Sequence, residues 1–423
     1  NTAVGQNSMA VNTTGQNNTA MGAGSLDANT TASNNTAIGS AALTATTTGA
    51  NLVALGSSAL VANTTGNSNV GIGYLALDAN TTASNNIAIG QHAVGTNTTG
   101  ASNVGIGHEA LYLNTTAANN TAVGFQALRA NTTGASNTGV GSGAGDAVTT
   151  GAYNTMIGKD AGGATTTADG NVVVGESAFL VNTTGAANVA IGANSLGSNT
   201  TASNNIAVGK SALYANTTGA DNTATGAGAL QSSTTASNNT AFGRVALNST
   251  TTGASNSALG LSALRYNTTG NYNTGIGMQS LYANTTGTNN AALGVSALAA
   301  NTTGTVNIAI GNEALDANTT GASNSALGHA ALSTNTTGDN NTALGRGALN
   351  ANTTADNNTA VGHYALVANT TGTANVAVGT YAGDAITTGG SNVAIGYNSL
   401  STEDEHGGNV AVGTNALTAQ ILI

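Results

Sequence analysis

Every seventeenth residue of this chain is glycine, from Gly5, Gly22 and Gly39 through to Gly396 and Gly413, with no insertion or deletion across about twenty-five repeats. A fixed short period of this kind is the signature of a solenoid: each repeat makes one coil, and a coil buries its apolar side only against its neighbours. Length alone would suggest two or three domains, but the unbroken phase predicts a single continuous repeat domain over residues 1–423. Large side chains cannot fill its core. Aromatics make up 3% of the 423 residues, and Trp, Pro and Cys are absent, so the interior must be thin and built from Ala, Val, Ile and Leu.

Aligned on the glycine, the repeat reads N-x-A-h-G-x-x-A-L-x-A-N-T-T-G-x-x, with h an aliphatic residue. Three positions stand out as the core. They are the residue before the glycine (Val4, Ile38, Leu55, Ile72, Ile191, Val378), the Ala or Ser three places after it (Ser8, Ala42, Ala93, Ser195, Ala416), and the Leu that follows (Leu26, Leu43, Leu128, Leu315, Leu417). Two short apolar segments separated by glycine and followed by a polar run predict two brief strands joined by turns. A helix fits poorly, because no apolar stripe recurs at helical spacing and Asn, Thr and Gly abound. The glycine is expected to supply a positive φ or a close backbone approach to the next coil.

The predicted fold is therefore all-β: a parallel β-solenoid of about twenty-five 17-residue coils, some 120 Å long at about 4.8 Å per coil. Stacking sets each residue over its counterpart, so columns carry the information. One Asn column, four places before the glycine, is broken only by Leu52. A second opens the N-T-T turn. Both read as ladders of side-chain amides that bond from coil to coil. Each coil buries little, so association with further copies, as a homotrimer in register, is expected to complete the core.

The segments Asn35-Thr36-Ala37-Ile38-Gly39, Asn188-Val189-Ala190-Ile191-Gly192 and Asn392-Val393-Ala394-Ile395-Gly396, each followed by a small residue three places on, resemble the repeated motif of the YadA-like heads of trimeric autotransporter adhesins. The longer form, as in residues 120–128 flanked by N-T-T-G, is similar to repeats of phage tail-fibre-like proteins. The resemblance covers essentially the whole chain. It implies a left-handed parallel β-roll with three chains side by side, and a role in binding cells or matrix. The 17-residue period, lengthened by the N-T-T-G turn, departs from the adhesin heads in cross-section. On this reading the sequence is a segment of a larger fibre protein, extracellular, on a cell surface or in a virion fibre.

The solvent face is marked by variability. Most charged or aromatic residues fall on the two positions after the glycine or the one after Leu, including Lys159, Lys210, Arg129, Arg244, Arg265, Arg346, Tyr74, Tyr112, Tyr214 and Tyr282. His329, Arg346 and His363 share one column in three successive coils, with Tyr364 and Tyr381 one column over and Tyr397 further along. Such a stripe can stack on sugar rings and pair with anionic glycans. Asn12, Asn29, Asn63, Asn114, Asn182 and Asn301 lie in N-x-T sequences and are candidate glycosylation sites. Lys159 and Glu176 read as an exposed ion pair in adjacent coils. Glu403, Asp404, Glu405 and His406 form the one acidic cluster, read as a solvated turn with calcium as the alternative.

Composition excludes more than it selects. Six basic against sixteen acidic residues give a net charge of −10 with no basic patch, so nucleic acid is not expected as a partner. No apolar run reaches membrane-spanning length. The isolated Asp residues after Leu (Asp27, Asp78, Asp316) and in the Gly-Asp-Ala variants (Asp146, Asp384) form no carboxylate pair, and no nucleophile, phosphate-loop or metal-spaced motif is present. No catalytic residue, cofactor or metal is expected. The leading expectation is a non-enzymatic structural and adhesive fibre whose partners are itself and a host receptor or glycan. Binding of ice or a crystal surface through stacked Thr is the alternative, and a polysaccharide-processing enzyme the third.

Overall fold

The structure is a computed structural model that describes residues 1–402 and 405–418. The chain forms a parallel β-solenoid of about 24 turns, 17 residues each, with twenty-five three-residue strands among the described residues. They group into two compact units. The first, Asn1–Ser211, holds thirteen strands, from β1 (Thr2–Val4) to β13 (Ile206–Val208); the second begins at Ala212 and holds twelve, from β14 (Thr223–Thr225) to β25 (Val410–Val412). Within each unit the pairing is parallel and the register is the period itself: Thr2 faces Thr19 in the first unit and Thr223 faces Thr240 in the second.

Only one strand per coil is present, where the repeat predicts two. The segment after the glycine does not extend. It turns twice through the left-handed region, at the second and fourth residues beyond the glycine, for example Gln126 (φ 55°) and Leu128 (φ 50°), or Tyr364 (φ 55°) and Leu366 (φ 50°). Bulky residues seldom adopt that conformation. Here it points the fourth residue inward, and its burial offsets the strain: Leu26, Leu43, Leu128 and Leu315 are fully buried, while Leu417, in the last described coil, is 42% exposed. Coil-to-coil hydrogen bonds nevertheless continue through the turns, as in Leu128 N–H to Ala144 O (2.9 Å) and Thr132 N–H to Thr149 O (2.8 Å).

The strand itself also faces the other way from its expected orientation. Side chains alternate along a strand, and it is the central Ala (Ala20, Ala37, Ala122, Ala394) that is fully buried. The aliphatic residue before the glycine faces out: Val4, Leu55, Ile191 and Val378 are exposed, and Ile38 and Ile72 are half-exposed. In most coils a small Ala or Gly takes that inward place and the larger residue is turned to the outside.

The recurrent glycine satisfies both expectations placed on it. Gly124 has φ +135°, and a Cβ there would lie 2.5 Å from the carbonyl oxygen of Gly141 in the next coil. No side chain fits that approach, so glycine is required wherever one coil rests on the next.

The two Asn columns do form ladders, and they converge. Asn273 Oδ1 accepts the backbone N–H of Asn290 (3.1 Å), while Asn273 Nδ2 donates to the carbonyl of Gly287 (2.8 Å). That carbonyl also accepts Asn284 Nδ2 (3.0 Å), and Asn284 donates in turn to Asn267 Oδ1 (2.8 Å). Both Asn273 and Asn284 are fully buried. Leu52 interrupts the first ladder while still donating its N–H to Asn35 Oδ1 (2.9 Å).

Local departures from the repeat compensate one another. Where the inward Leu becomes Gly145 and Gly162, the central strand residue of β10 (Thr155–Ile157) becomes Met156, and a Cβ at either glycine would meet its Sδ. Met156 is fully buried, so one flexible side chain occupies the volume two leucines leave. The Asn of the turn changes alongside them, to Val148 and Thr165, both fully buried.

Asn273→Ala leaves a buried N–H without its acceptor and removes one of two donors from Gly287 O, which predicts a loss of roughly 2–4 kcal/mol in chemical denaturation. The exposed Thr286→Ala serves as control and is expected to stay within about 0.5 kcal/mol. Met156→Ala opens a cavity beneath two glycines, with an expected cost of about 2–5 kcal/mol in the same measurement.

Candidate ligand-binding face

The three variable columns lie side by side on one outer face. The left-handed turn after the glycine turns its first two residues outward while the fourth goes in, and the residue after the inward Leu rejoins them. Within the second unit this brings the predicted stripe together. The Arg346 guanidinium sits over the Tyr364 ring (5.9 Å to its centroid), His363 packs against Tyr364 (4.2 Å, tilted 55°), and Tyr364 stacks on Tyr381 (5.9 Å, 28°). His363 also meets Tyr381 edge-on (5.6 Å, 82°). Tyr397 is 54% exposed and contributes no ring contact to this group.

Between these side chains lies a cleft of about 130 Å³, lined by His329, Ala330, Arg346, Gly347, Asn350 and Tyr364. Gly347 shapes it. A Cβ at Gly347 would collide with the Tyr364 ring, so the missing side chain lets the ring lie down against the backbone. Asn350, which lines the cleft, commits its amide nitrogen to Ala330 O (3.1 Å) and Ser333 Oγ (2.6 Å).

A second aromatic and charged group lies in the first unit, with contacts both along columns and across them. Tyr74 meets His92 edge-on, and His92 meets Tyr112, each at 5.7 Å; His108 stacks on Phe125 at 5.5 Å. Arg129 lies 5.9 Å from the Tyr112 ring and donates to Glu109 at 2.7 Å, and Gln126 donates to the same carboxylate at 2.9 Å. The Arg129 hydrogen bond, then that of Gln126, holds the Glu109 carboxyl below its ordinary range. The cation here already has its anion. What could have revealed the group is the co-occurrence of Tyr74, His92, Glu109, Tyr112 and Arg129 within four coils.

Other sequence readings are relocated. Lys159 pairs with Asp160 (3.6 Å) instead of Glu176. Asn29, Asn63, Asn114, Asn182 and Asn301 are fully buried and Asn12 is half-buried; their amide nitrogens donate within the turn, as in Asn301 Nδ2 to Gly304 O (3.0 Å). Glycosylation of these nitrogens is incompatible with the closed coil. The first Thr of each turn commits its hydroxyl to the next coil, as in Thr302 Oγ1 to Thr319 O (3.0 Å), which leaves a surface-binding face the second Thr alone. Glu403 and Asp404 lie outside the described residues, as does the terminal segment 419–423. Glu405 and His406 are exposed, and no group of three metal-ligating side chains occurs among the described residues.

Three Asp carboxyls on this face are pushed above the ordinary carboxylate value, and burial is the first cause for each of Asp78, Asp146 and Asp316. Near Asp316 the charge of Glu313 adds to the effect, and its buried Oδ1 has no hydrogen-bond partner. Compared with known proteins, the chain matches no family model and no curated protein.

A raised folded-state pKa means that the folded protein keeps the proton over a range in which the unfolded chain has lost it. The associated stability is present below the unfolded value and is lost as pH rises through the folded one. Thermal unfolding between about pH 4 and pH 7 should therefore show a smaller acid-side gain for Asp316→Asn than for the unaltered protein.

Proposed function

We propose that the chain is a segment of an extracellular, non-enzymatic structural fibre, on a cell surface or in a virion, that assembles from copies of itself, three in register, and attaches to cells, matrix or glycans. One observation carries this reading: the outward face of the strands. In every coil its two outward positions hold only Thr, Ser, Ala, Val, Ile, Leu, Met or Phe, with no charged residue among the twenty-five. Along it Met21, Leu55, Ile106, Ile157 and Ile191 in the first unit, and Phe242, Leu259, Leu293, Leu327 and Leu344 in the second, are each more than a third exposed.

Within each unit the column before the glycine is an uncharged and almost wholly aliphatic exposed stripe, beyond the scattered exposed residues normal on a monomer, and such faces mark interaction surfaces. The groove of about 200 Å³ between Ile308, Leu327 and Leu344 is floored by Ala326 and Ala343, and offers receiving space for side chains of another copy. The partner with a matching period is the chain itself. Its 17-residue repeat is the one surface guaranteed to stay in register over many coils. The adhesin and tail-fibre resemblance agrees with this assembly, and the variable columns on the other face remain outward for attachment.

Sedimentation equilibrium of the purified chain should give a multiple of 40.4 kDa, three copies on this reading. Introducing charge with Leu327→Lys and Leu344→Lys should shift the mass to one copy while circular dichroism stays β-type. A single-copy mass for the unaltered protein would sink the assembly.

A further inference from the structure

We infer that the cleft between His329, Arg346, Asn350 and Tyr364 is a binding site for one carboxylate-bearing pyranose, an acidic sugar of the uronic type. The inference deepens the attachment reading above by naming the ligand class. It stands on three features that the first-unit group does not combine.

The first is an available cation. Arg129 is engaged by Glu109 at 2.7 Å, whereas Arg346 forms no ion pair with any described carboxylate and holds its guanidinium over the Tyr364 ring. Guanidinium binds carboxylate through two parallel N–H donors, a geometry ammonium cannot reproduce. The second is a fixed aromatic platform. Tyr364 is half-buried, laid against the backbone at Gly347 and backed by Tyr381 at 5.9 Å, so little side-chain freedom is lost when the apolar side of a sugar packs against its exposed edge in the cleft. The third is polar completion. The internal commitments of the Asn350 amide nitrogen leave Oδ1 as an acceptor for a ring hydroxyl, and the exposed His329 borders the same cleft.

Size and charge narrow the ligand. At about 130 Å³ the cleft is well below the roughly 300–1,000 Å³ of sites that enclose drug-sized ligands, and suits one ring. Glu313 stands one coil before Ala330, Asp316 one coil before Ser333, and Asp384 two coils after Asn350. These carboxylates bracket the cationic stretch, so a long polyanion would meet repulsion at both ends while a single acidic residue would not.

The test uses the full chain with methyl β-D-glucuronide against methyl β-D-glucoside, which differ by the carboxylate alone, in saturation-transfer NMR and calorimetric titration. The glucuronide is expected to bind at least about tenfold more tightly. Arg346→Gln should abolish that difference, and Tyr364→Leu should weaken both sugars; circular dichroism confirms that each variant remains folded. Equal affinity for the two probes, no saturable binding of either, tighter binding of a long polyuronate per residue, or unchanged discrimination in Arg346→Gln would each overturn the assignment. Mass measured on the same sample separates the two readings: an assembled protein that ignores both probes loses the cleft alone, and a single-copy protein that binds the glucuronide loses the assembly alone.

Discussion

The whole architecture depends on how closely one coil can approach the next at the recurrent glycine. At Gly124 the backbone occupies a conformation closed to other residues and lies against the Gly141 carbonyl, with no room for a methyl group. That contact fixes the vertical spacing. Once it is fixed, the amide ladders follow, because Asn273 can reach both the Asn290 N–H and the Gly287 carbonyl only if the following coil stays in phase. A coil one residue longer would move every column off its partner, which explains why the period tolerates no insertion. Small residues give the register, and buried amides make departures from it costly.

Much of this was legible in the residues. The invariant glycine, the columns of Asn and the small residue three places on all act through coil-to-coil proximity, and a strict period displays proximity directly. Orientation was less legible. Ile38 and Leu55 suggest a core by their chemistry, but the strand turns Ala37 and Ala54 inward, and hydrophobicity alone does not state which of two alternating positions faces the interior. Likewise Leu128 in a left-handed turn defies local preference, since burial outweighs a backbone cost that sequence propensity counts as prohibitive. The Arg346 and Tyr364 group was visible as a stripe, whereas the Glu109, Tyr112 and Arg129 group was not, because the ion pair that ties it together joins Arg129 to Glu109 twenty residues earlier, in another column.

Two surfaces divide the exterior. The strand face is uncharged, with an aliphatic residue before nearly every glycine, so it suits a partner that repeats with the same period. The turn face gathers most of the charged and aromatic residues, and differs from coil to coil. A solenoid permits this separation because each column is independent of the others: a residue that changes on the turn face leaves the glycine contact and the amide ladders untouched. Uniformity on one side and diversity on the other are thus maintained by the same seventeen-residue frame.

The exchange between Gly145, Gly162 and Met156 shows where that independence stops. Here the interior of two neighbouring coils is settled jointly, with one long thioether side chain standing in for two absent leucines. Coils of this chain are therefore not freely interchangeable modules. Recombination between repeats that carried Met156 away from its glycines would place it against a leucine, and the reverse crossover would leave a void, so these coils can be duplicated or lost only as a block.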